Sequence, residues 1–231
     1  MRSRVIAVAG VKGSTGATFV AVGLASRLAA ERIPTLLLDA DGEESGVASH
    51  LDLRACSLAG APPTGGGIAA AAERRDGFGC LDIRGFEGSG RQLLAAAQES
   101  AAAIVVDLGH DFGAQQRELA AGADWLLWVV APDRIGVERA DRAIGSARLV
   151  ASSAAIVLNR AGHGFRDAGI VLGERHGLPL ATVIRERPRA ARESLRRRLA
   201  PDRLRVFAAS FAELARCVHP DARARGGAAW P

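Results

Sequence analysis

The chain has 231 residues and a mass of 24.0 kDa, with 48% hydrophobic residues, 24% charged residues and a formal net charge of +5. That balance excludes a wholly disordered chain and leaves ample apolar material for a core, while no apolar run reaches the roughly 18 residues of a membrane-spanning helix. Three widely spaced cysteines (Cys56, Cys80, Cys217) form no CxxC pair, which argues against a disulfide framework or a cysteine zinc site and fits a reducing cytoplasm.

Met1–Val8 runs straight into a strand pattern with no secretory cleavage site. Val5–Ala9 is the short apolar run of a buried parallel strand. The glycine-rich stretch Gly10–Gly16 follows, and Thr18–Ala30 reads as a helix. Thr35–Ala40 is a second buried strand, with Asp39 and Asp41 at its end. Ser45–Leu53 has helical character. Leu58–Gly67 reads as a loop by its Pro and Gly content. Ile68–Arg75 is expected as a short helix, Cys80–Ile83 as a short strand and Arg91–Glu99 as a helix. Ala103–Leu108 is a third buried strand, and Gln115–Ala121 a helix. Trp125–Ala131 is a strand, Val137–Val150 a helix, and Ala154–Leu158 a strand running into Asn159 and Arg160. Arg166–His176 is a helix, Ala181–Ile184 a last strand and Pro188–Leu199 a helix. Leu204–Val218 closes the domain as an amphipathic helix, giving one domain over residues 1–218 and a flexible tail over 219–231.

Strands alternating with helices predict an α/β fold: a doubly wound, mostly parallel sheet flanked by helices. Ligands on such sheets bind at the carboxyl ends of the strands. Lys12–Thr18, Asp39, Asp41, Asp107 and Asn159 all fall at such ends.

The first of these ends reads Gly10-Val11-Lys12-Gly13-Ser14-Thr15-Gly16-Ala17-Thr18. Glycines let successive backbone N–H groups converge on an anion, and the following helix adds its positive end. The ordinary phosphate loop is GxxxxGK[ST]. Gly16 and Thr18 match it, Ala17 stands at the lysine, and Val11 replaces the first glycine. Of the 30 basic residues 29 are arginine, and the one lysine is Lys12. A compact ammonium fits a tight phosphate cradle that the wider guanidinium does not.

The loop resembles the deviant phosphate loop xKGGxGK[ST] of the ParA/MinD ATPases, a P-loop group with a signature lysine near the start. Lys12, Gly13, Gly16 and Thr18 align with that pattern without a gap; Ser14 and Ala17 depart from it. The loop looks most like the CpaE/TadZ pilus-assembly and septum-site-determining branch, whose members often carry a small residue at the second lysine. Leu36–Asp41 resembles the family's switch I and Ser45–Leu53 the segment after it. Ile104–Gly109 resembles the Walker B strand, Ala155–Arg160 the strand whose Asn touches adenine, and Leu178–Pro188 the late strand-turn-helix. The resemblance covers roughly residues 4–218, and a receiver-like domain common in that branch is not expected ahead of the loop.

The resemblance implies that Gly13, Ser14, Thr15, Gly16, Ala17 and Thr18 offer backbone N–H groups to the phosphates of ATP. It implies that Thr18 binds Mg²⁺ with Asp39 and Asp107 toward the metal or its waters. Asp41 would orient the attacking water, Lys12 would reach across a nucleotide-sandwich homodimer, and Asn159 would read adenine. Backbone amides and Mg²⁺ survive the loss of the lysine at 17. Binding is therefore expected to outlast turnover, since that charge grows in value as the transition state forms.

Other readings compete at each position. The glycine loop can be a plain strand-to-helix turn, and Asp39, Asp41 and Asp107 can serve as caps or turn residues. Asn159 can be a cap. Arg185, Arg189, Arg192 and Arg196 share a predicted helical face that would suit DNA phosphates, anionic lipid, an acidic partner, or plain solvent. Leu204, Phe207, Phe211 and Leu214 fit core packing better than membrane insertion. Trp125 and Trp128 read as core or interface, and the five histidines have no metal-binding spacing.

The function expected from all this is an ATP-binding localisation switch or scaffold for pilus or secretion-system assembly. It would be cytoplasmic, recruited by a protein partner to the inner face of the membrane or a cell pole, with weak or absent hydrolysis. The rivals are an active ATPase in DNA partitioning or division-site placement, and a nucleotide-free pseudo-ATPase acting as an interaction module.

Overall fold

The computed structural model describes residues 3–41, 46–53, 58, 64–146, 149–162 and 166–220. Cys56, His163 and residues 221–231 of the expected tail lie outside the described residues. The strands are β1 (Arg4–Gly10), β2 (Thr35–Asp39), β3 (Glu73–Arg75), β4 (Phe78–Asp82), β5 (Ala103–Asp107), β6 (Trp125–Val130), β7 (Ser153–Ala161) and β8 (Leu180–Arg185). The helices are α1 (Ala17–Ala30), α2 (Gly46–Leu51), α3 (Gly65–Ala71), α4 (Gly90–Ser100), α5 (Ala114–Ala121), α6 (Arg134–Gly145), α7 (Arg166–His176), α8 (Pro188–Arg197) and α9 (Arg205–Val218).

The eight strands form one sheet in the order β3-β4-β2-β5-β1-β6-β7-β8, parallel except for the edge pair β3-β4. The central strands β1, β2 and β5 are apolar between their ends because both faces are covered. Ile6, Val8, Leu37, Val105 and Val129 pack on one side against Val20, Leu24, Phe207 and Phe211 of α1 and α9. Val5, Ala7, Leu36, Leu38, Val106 and Trp128 pack on the other against Leu93, Leu94 and Leu119 of α4 and α5. Trp128 is buried in that second core, edge-on to Phe112 with ring centroids 5.9 Å apart.

Several boundaries differ from the sequence reading. The loop expected to run to Gly67 gives way at Thr64, whose side chain accepts the Gly67 N–H at 3.1 Å and caps α3. Three glycines open that helix because Glu99 accepts the Gly65 N–H at 3.3 Å and buried Ile68 anchors the turn. The helix expected over Ile68–Arg75 therefore ends at Ala71. Glu73–Arg75 instead form a hairpin with β4 across Asp76 and Gly77, both at positive φ, as a two-residue turn of this hand demands. The helix expected over Val137–Val150 starts earlier, at Arg134, because Asp133 caps it, and it stops at Gly145. Arg185 is the last residue of β8 and not part of a helical face with Arg189, Arg192 and Arg196, which lie on α8; all four are exposed.

Gly23 of α1 lies directly against Phe211 of α9. A Cβ there would collide with the ring of Phe211, which is fully buried and has nowhere to go. The general helix preference for alanine is worth about 1 kcal/mol, and overpacking a core costs about 1–3 kcal/mol. Gly23→Ala is expected to lower stability in urea titration despite its better helix propensity.

Candidate functional site

The chain order reverses at β1. From β1 the path leads through α1 to β2 on one side, and from β5 through α5 to β6 on the other. The β1–α1 loop therefore opens at the crevice where ligands of such sheets bind. The turn after β5 is tied to it: Gly10 donates its N–H to the Gly109 carbonyl at 2.7 Å. A Cβ at Gly10 would stand 2.7 Å from Thr15 Oγ1, so the loop folds over this position only as glycine. The buried Thr15 hydroxyl in turn donates to the Lys12 carbonyl at 3.1 Å.

Ser14 and Gly16 both take positive φ, at 62° and 88°. This alternation curls the backbone into a concave nest of N–H groups. For Ser14 the left-handed conformation costs about 1 kcal/mol or more, which explains the glycine in the pattern that the loop resembles. No acceptor exists among the described residues for the N–H groups of Gly13, Ser14 and Gly16. Gly16 caps α1 without any side-chain bond, and no acidic residue occupies the helix's first turn. An anion would satisfy both the amides and the helix end. Ala17 opens α1 with its methyl group in the apolar core.

Register brings the acidic residues together. Asp39 of β2 stands beside Asp107 of β5 and, on its other side, beside Asp82 of β4. Arg84 clamps Asp82 through three guanidinium bonds of 2.6–3.1 Å. Asp39 and Asp107 are both buried. The Asp41 N–H donates to Asp39 Oδ1 at 3.2 Å, and the Asp41 carboxyl packs on Gly109, where a Cβ would displace it. Burial first, then the charge of Asp39, pushes the Asp107 carboxyl up to about 7, against hydrogen bonds from Thr18 and the Gly109 N–H. Among the described residues its buried Oδ2 has no hydrogen-bond partner.

An orphaned buried carboxylate oxygen beside a second buried carboxylate and a hydroxyl fits a hard cation such as Mg²⁺. Among the described residues no three His, Cys, Asp or Glu side chains converge as a cage. Thr18, Asp39 and Asp107 would therefore leave most of a magnesium shell to water and phosphate, as is usual for that ion. Gly46 at the start of α2 lies over the Thr18 side chain, with Oγ1 2.8 Å from where its Cβ would stand.

Asn159 is buried, and its Nδ2 donates to the Thr15 carbonyl at 2.8 Å, so it braces the loop. It also lines a cavity of about 420 Å³ with Gly16, Phe19, Pro188, Leu195 and Phe207, an apolar slot continuous with the loop. Arg185 and Arg192 stand at this cavity as well. Lys12 points toward β6: its Nζ lies 3.1 and 3.2 Å from the two carboxylate oxygens of Asp133 in the same chain. The Gly136 N–H and then Lys12 hold the Asp133 carboxyl below its ordinary range. Sequence reasoning missed Asp133, although an Asp directly before an amphipathic run is a helix-cap signal. It also missed Arg160, whose guanidinium donates to the Ser14 carbonyl at 3.2 Å.

No protein-family model and no curated protein matches the sequence. Solved structures do match the fold. A ParA family ATPase from Chlorobium tepidum is 19% identical with a TM-score of 0.71, over 95% of this chain and 98% of that one. The MinC:MinD cell division complex of Aquifex aeolicus gives 17% and 0.75, over 94% and 96%. The septum site-determining protein MinD of Pyrococcus horikoshii, complexed with Mg-ADP, gives 18% and 0.66, over 94% and 96%. At these identities the likeness is one of architecture: the chain has the single-domain α/β fold of the ParA and MinD ATPases, with an eight-stranded, mostly parallel sheet flanked by helices.

Proposed function

We propose that this chain binds ATP with Mg²⁺ and serves as a localisation switch or scaffold of the ParA/MinD type. In this reading residues 1–218 form one nucleotide-binding domain. The observation that carries it is the conjunction at the crevice: three loop amides and the Oδ2 of Asp107 without partners among the described residues, and an apolar cavity ending at Asn159. Gly13–Thr18 hold the phosphates, Thr18, Asp39 and Asp107 hold the metal, and the cavity takes the base. Mg²⁺ supplies charge neutralisation at the terminal phosphates. The chain's own share is to orient: Asn159 braces the loop, Asp41 waits over Gly109 to align a water, and Lys12 is the cation for a second copy of the chain. The Mg-ADP complex of the Pyrococcus MinD structure supports the cofactor, and the MinC:MinD complex supports a partner-binding role.

Pilus or secretion-system assembly is the setting that the loop's resemblance favours, with recruitment to the membrane through a protein partner. No helix among the described residues is long and apolar enough to cross a membrane. The exposed Arg189, Arg192 and Arg196 on α8, with Arg185 beside them, offer a polyanion surface and keep DNA as the alternative partner.

Hydrolysis in this reading is slow, because the α1 start carries a methyl group where the loop pattern places an ammonium. Calorimetry with Mg-ATP should give saturable binding that chelation weakens. Ala17→Lys is expected to raise turnover by an order of magnitude or more, as restoring a transition-state cation does. No binding at millimolar Mg-ATP in either protein would overturn the nucleotide reading.

A further inference from the structure

The loop's fixed positive charge has unusual sources. Position 17 contributes none. The Lys12 ammonium is held by Asp133 on the β6 side. Arg160 reaches the Ser14 carbonyl, with its guanidinium 3.8 Å from Glu186. On the β5 side, a histidine occupies the remaining wall. His110 directly follows the Asp107–Gly109 turn, and its imidazole lies against Gly13. Nε2, Cε1 and Cδ2 stand 3.4, 3.6 and 3.9 Å from where a Cβ of Gly13 would be. The backbone that carries this ring is fixed. Gly109 takes positive φ, its carbonyl holds the Gly10 N–H, its N–H donates to Asp107 Oδ1 at 3.2 Å, and Asp41 packs on its Cα. At these separations a Cβ on Gly13 would sit in ordinary van der Waals contact with the ring, so loop and imidazole are immediate neighbours.

We propose that His110 is a phosphate-contacting residue, whose imidazole N–H donates to the terminal phosphate of bound ATP across Gly13. The assignment rests on the nucleotide reading above and names a donor that reading lacks. Asp39 and Asp107 would hold a metal whose charge would neutralise the terminal phosphates, so they would mark that end of the nucleotide, and His110 lies three residues beyond Asp107 on the same turn. An imidazole N–H donates whether the ring is neutral or charged, and a donor to an ionised oxygen makes the stronger class of hydrogen bond. His110 thereby supplies part of what the missing lysine would give, and it does so only when a terminal phosphate is present.

The test is calorimetry of Mg-ATP and Mg-ADP binding by the wild-type chain, His110→Ala and His110→Gln, beside thermal melts of all three. His110→Ala is expected to bind Mg-ATP about tenfold more weakly, the scale of one lost bond to a charged group. Its Mg-ADP affinity should change less than twofold. His110→Gln, which keeps an N–H donor at similar reach, should recover most of the loss. A merely structural role would weaken both nucleotides equally and leave Gln no better than Ala, and that result overturns the proposal. So does an Ala variant that binds Mg-ATP like the wild type. A wild-type chain that binds neither nucleotide overturns the nucleotide reading itself and His110's role with it.

Discussion

Asp107→Asn is expected to make the metal-free protein more stable at pH 8 while abolishing its response to Mg-ATP. The Asp107 carboxyl titrates at about 7 in the folded chain, against an ordinary value of 3.8. Between those values the folded state keeps a proton that the unfolded state releases. This group's contribution is therefore fully present below about pH 4 and is lost as the pH rises through 7. Three units at 1.36 kcal/mol each set a ceiling of about 4 kcal/mol. Asparagine is neutral throughout, keeps an acceptor for the Gly109 N–H, and removes the repulsion with Asp39. It also places an amide N–H where Oδ2 has no partner, so the gain falls short of the ceiling. About 1–3 kcal/mol, roughly 3–10 °C in thermal midpoint for a domain of this size, is the expected scale. Melts at pH 5 and pH 8 in chelator, repeated at pH 8 with Mg-ATP, check both halves. The wild type should lose more stability than the variant between the two pH values, and only the wild type should gain from Mg-ATP. Parallel curves for the two proteins would show that the buried carboxyl costs nothing. The expected result makes Asp107 a position where stability is given up for a site.

The central sheet and the loop were legible in the sequence for one physical reason. Parallel strands covered on both faces must be apolar at every position, so β1, β2 and β5 stand out as runs, and the polar residues that end them, Asp39 and Asp107, stand out as breaks. The edge of the sheet has no such signal. The three residues Glu73–Arg75 are charged, and they pair because Asp76 and Gly77 make the turn, not because of any apolar pattern. Helix starts were misplaced where a cap decides them: Thr64 pulled α3 back across three glycines, and Asp133 pulled α6 back by three residues. Within the site, spacing foretold which residues sit at the crevice but not how they are tied. That Asn159 braces Thr15, that Arg84 clamps Asp82 next to Asp39, and that Lys12 rests on Asp133 are contacts across 144, 2 and 121 positions of chain. Only the fold brings most of these together, and even the short one depends on Asp82 standing at the sheet's edge of the cluster.

Lys12→Arg and Lys12→Ala are both expected to lose ATP-dependent dimerisation while melting like the wild type. The ammonium sits on Asp133, whose side chain is 51% exposed, against 20% for Lys12. A pair this open to water is worth about 0–1 kcal/mol, so it is a resting place that a phosphate can outbid. Arginine could hold Asp133 equally well and would leave the fold unmoved. What it cannot do is thread one compact charge into a cradle already narrowed by the Arg160 guanidinium at Ser14. On the proposed reading of Lys12, the same contact would make Asp133 a brake. Asp133 also caps α6 through the Gly136 N–H at 2.8 Å, so replacing it by alanine would cost about 1 kcal/mol of helix stability. Asp133→Ser keeps a capping oxygen and removes the anion that detains Lys12, and it should dimerise at lower Mg-ATP concentration than the wild type. Light scattering on a sizing column, with and without Mg-ATP, reads all three variants, and a melt controls for folding. A Lys12→Arg protein that dimerises like the wild type would mean that the single lysine among 29 arginines is an accident of composition, and the loop would then need its cation from elsewhere.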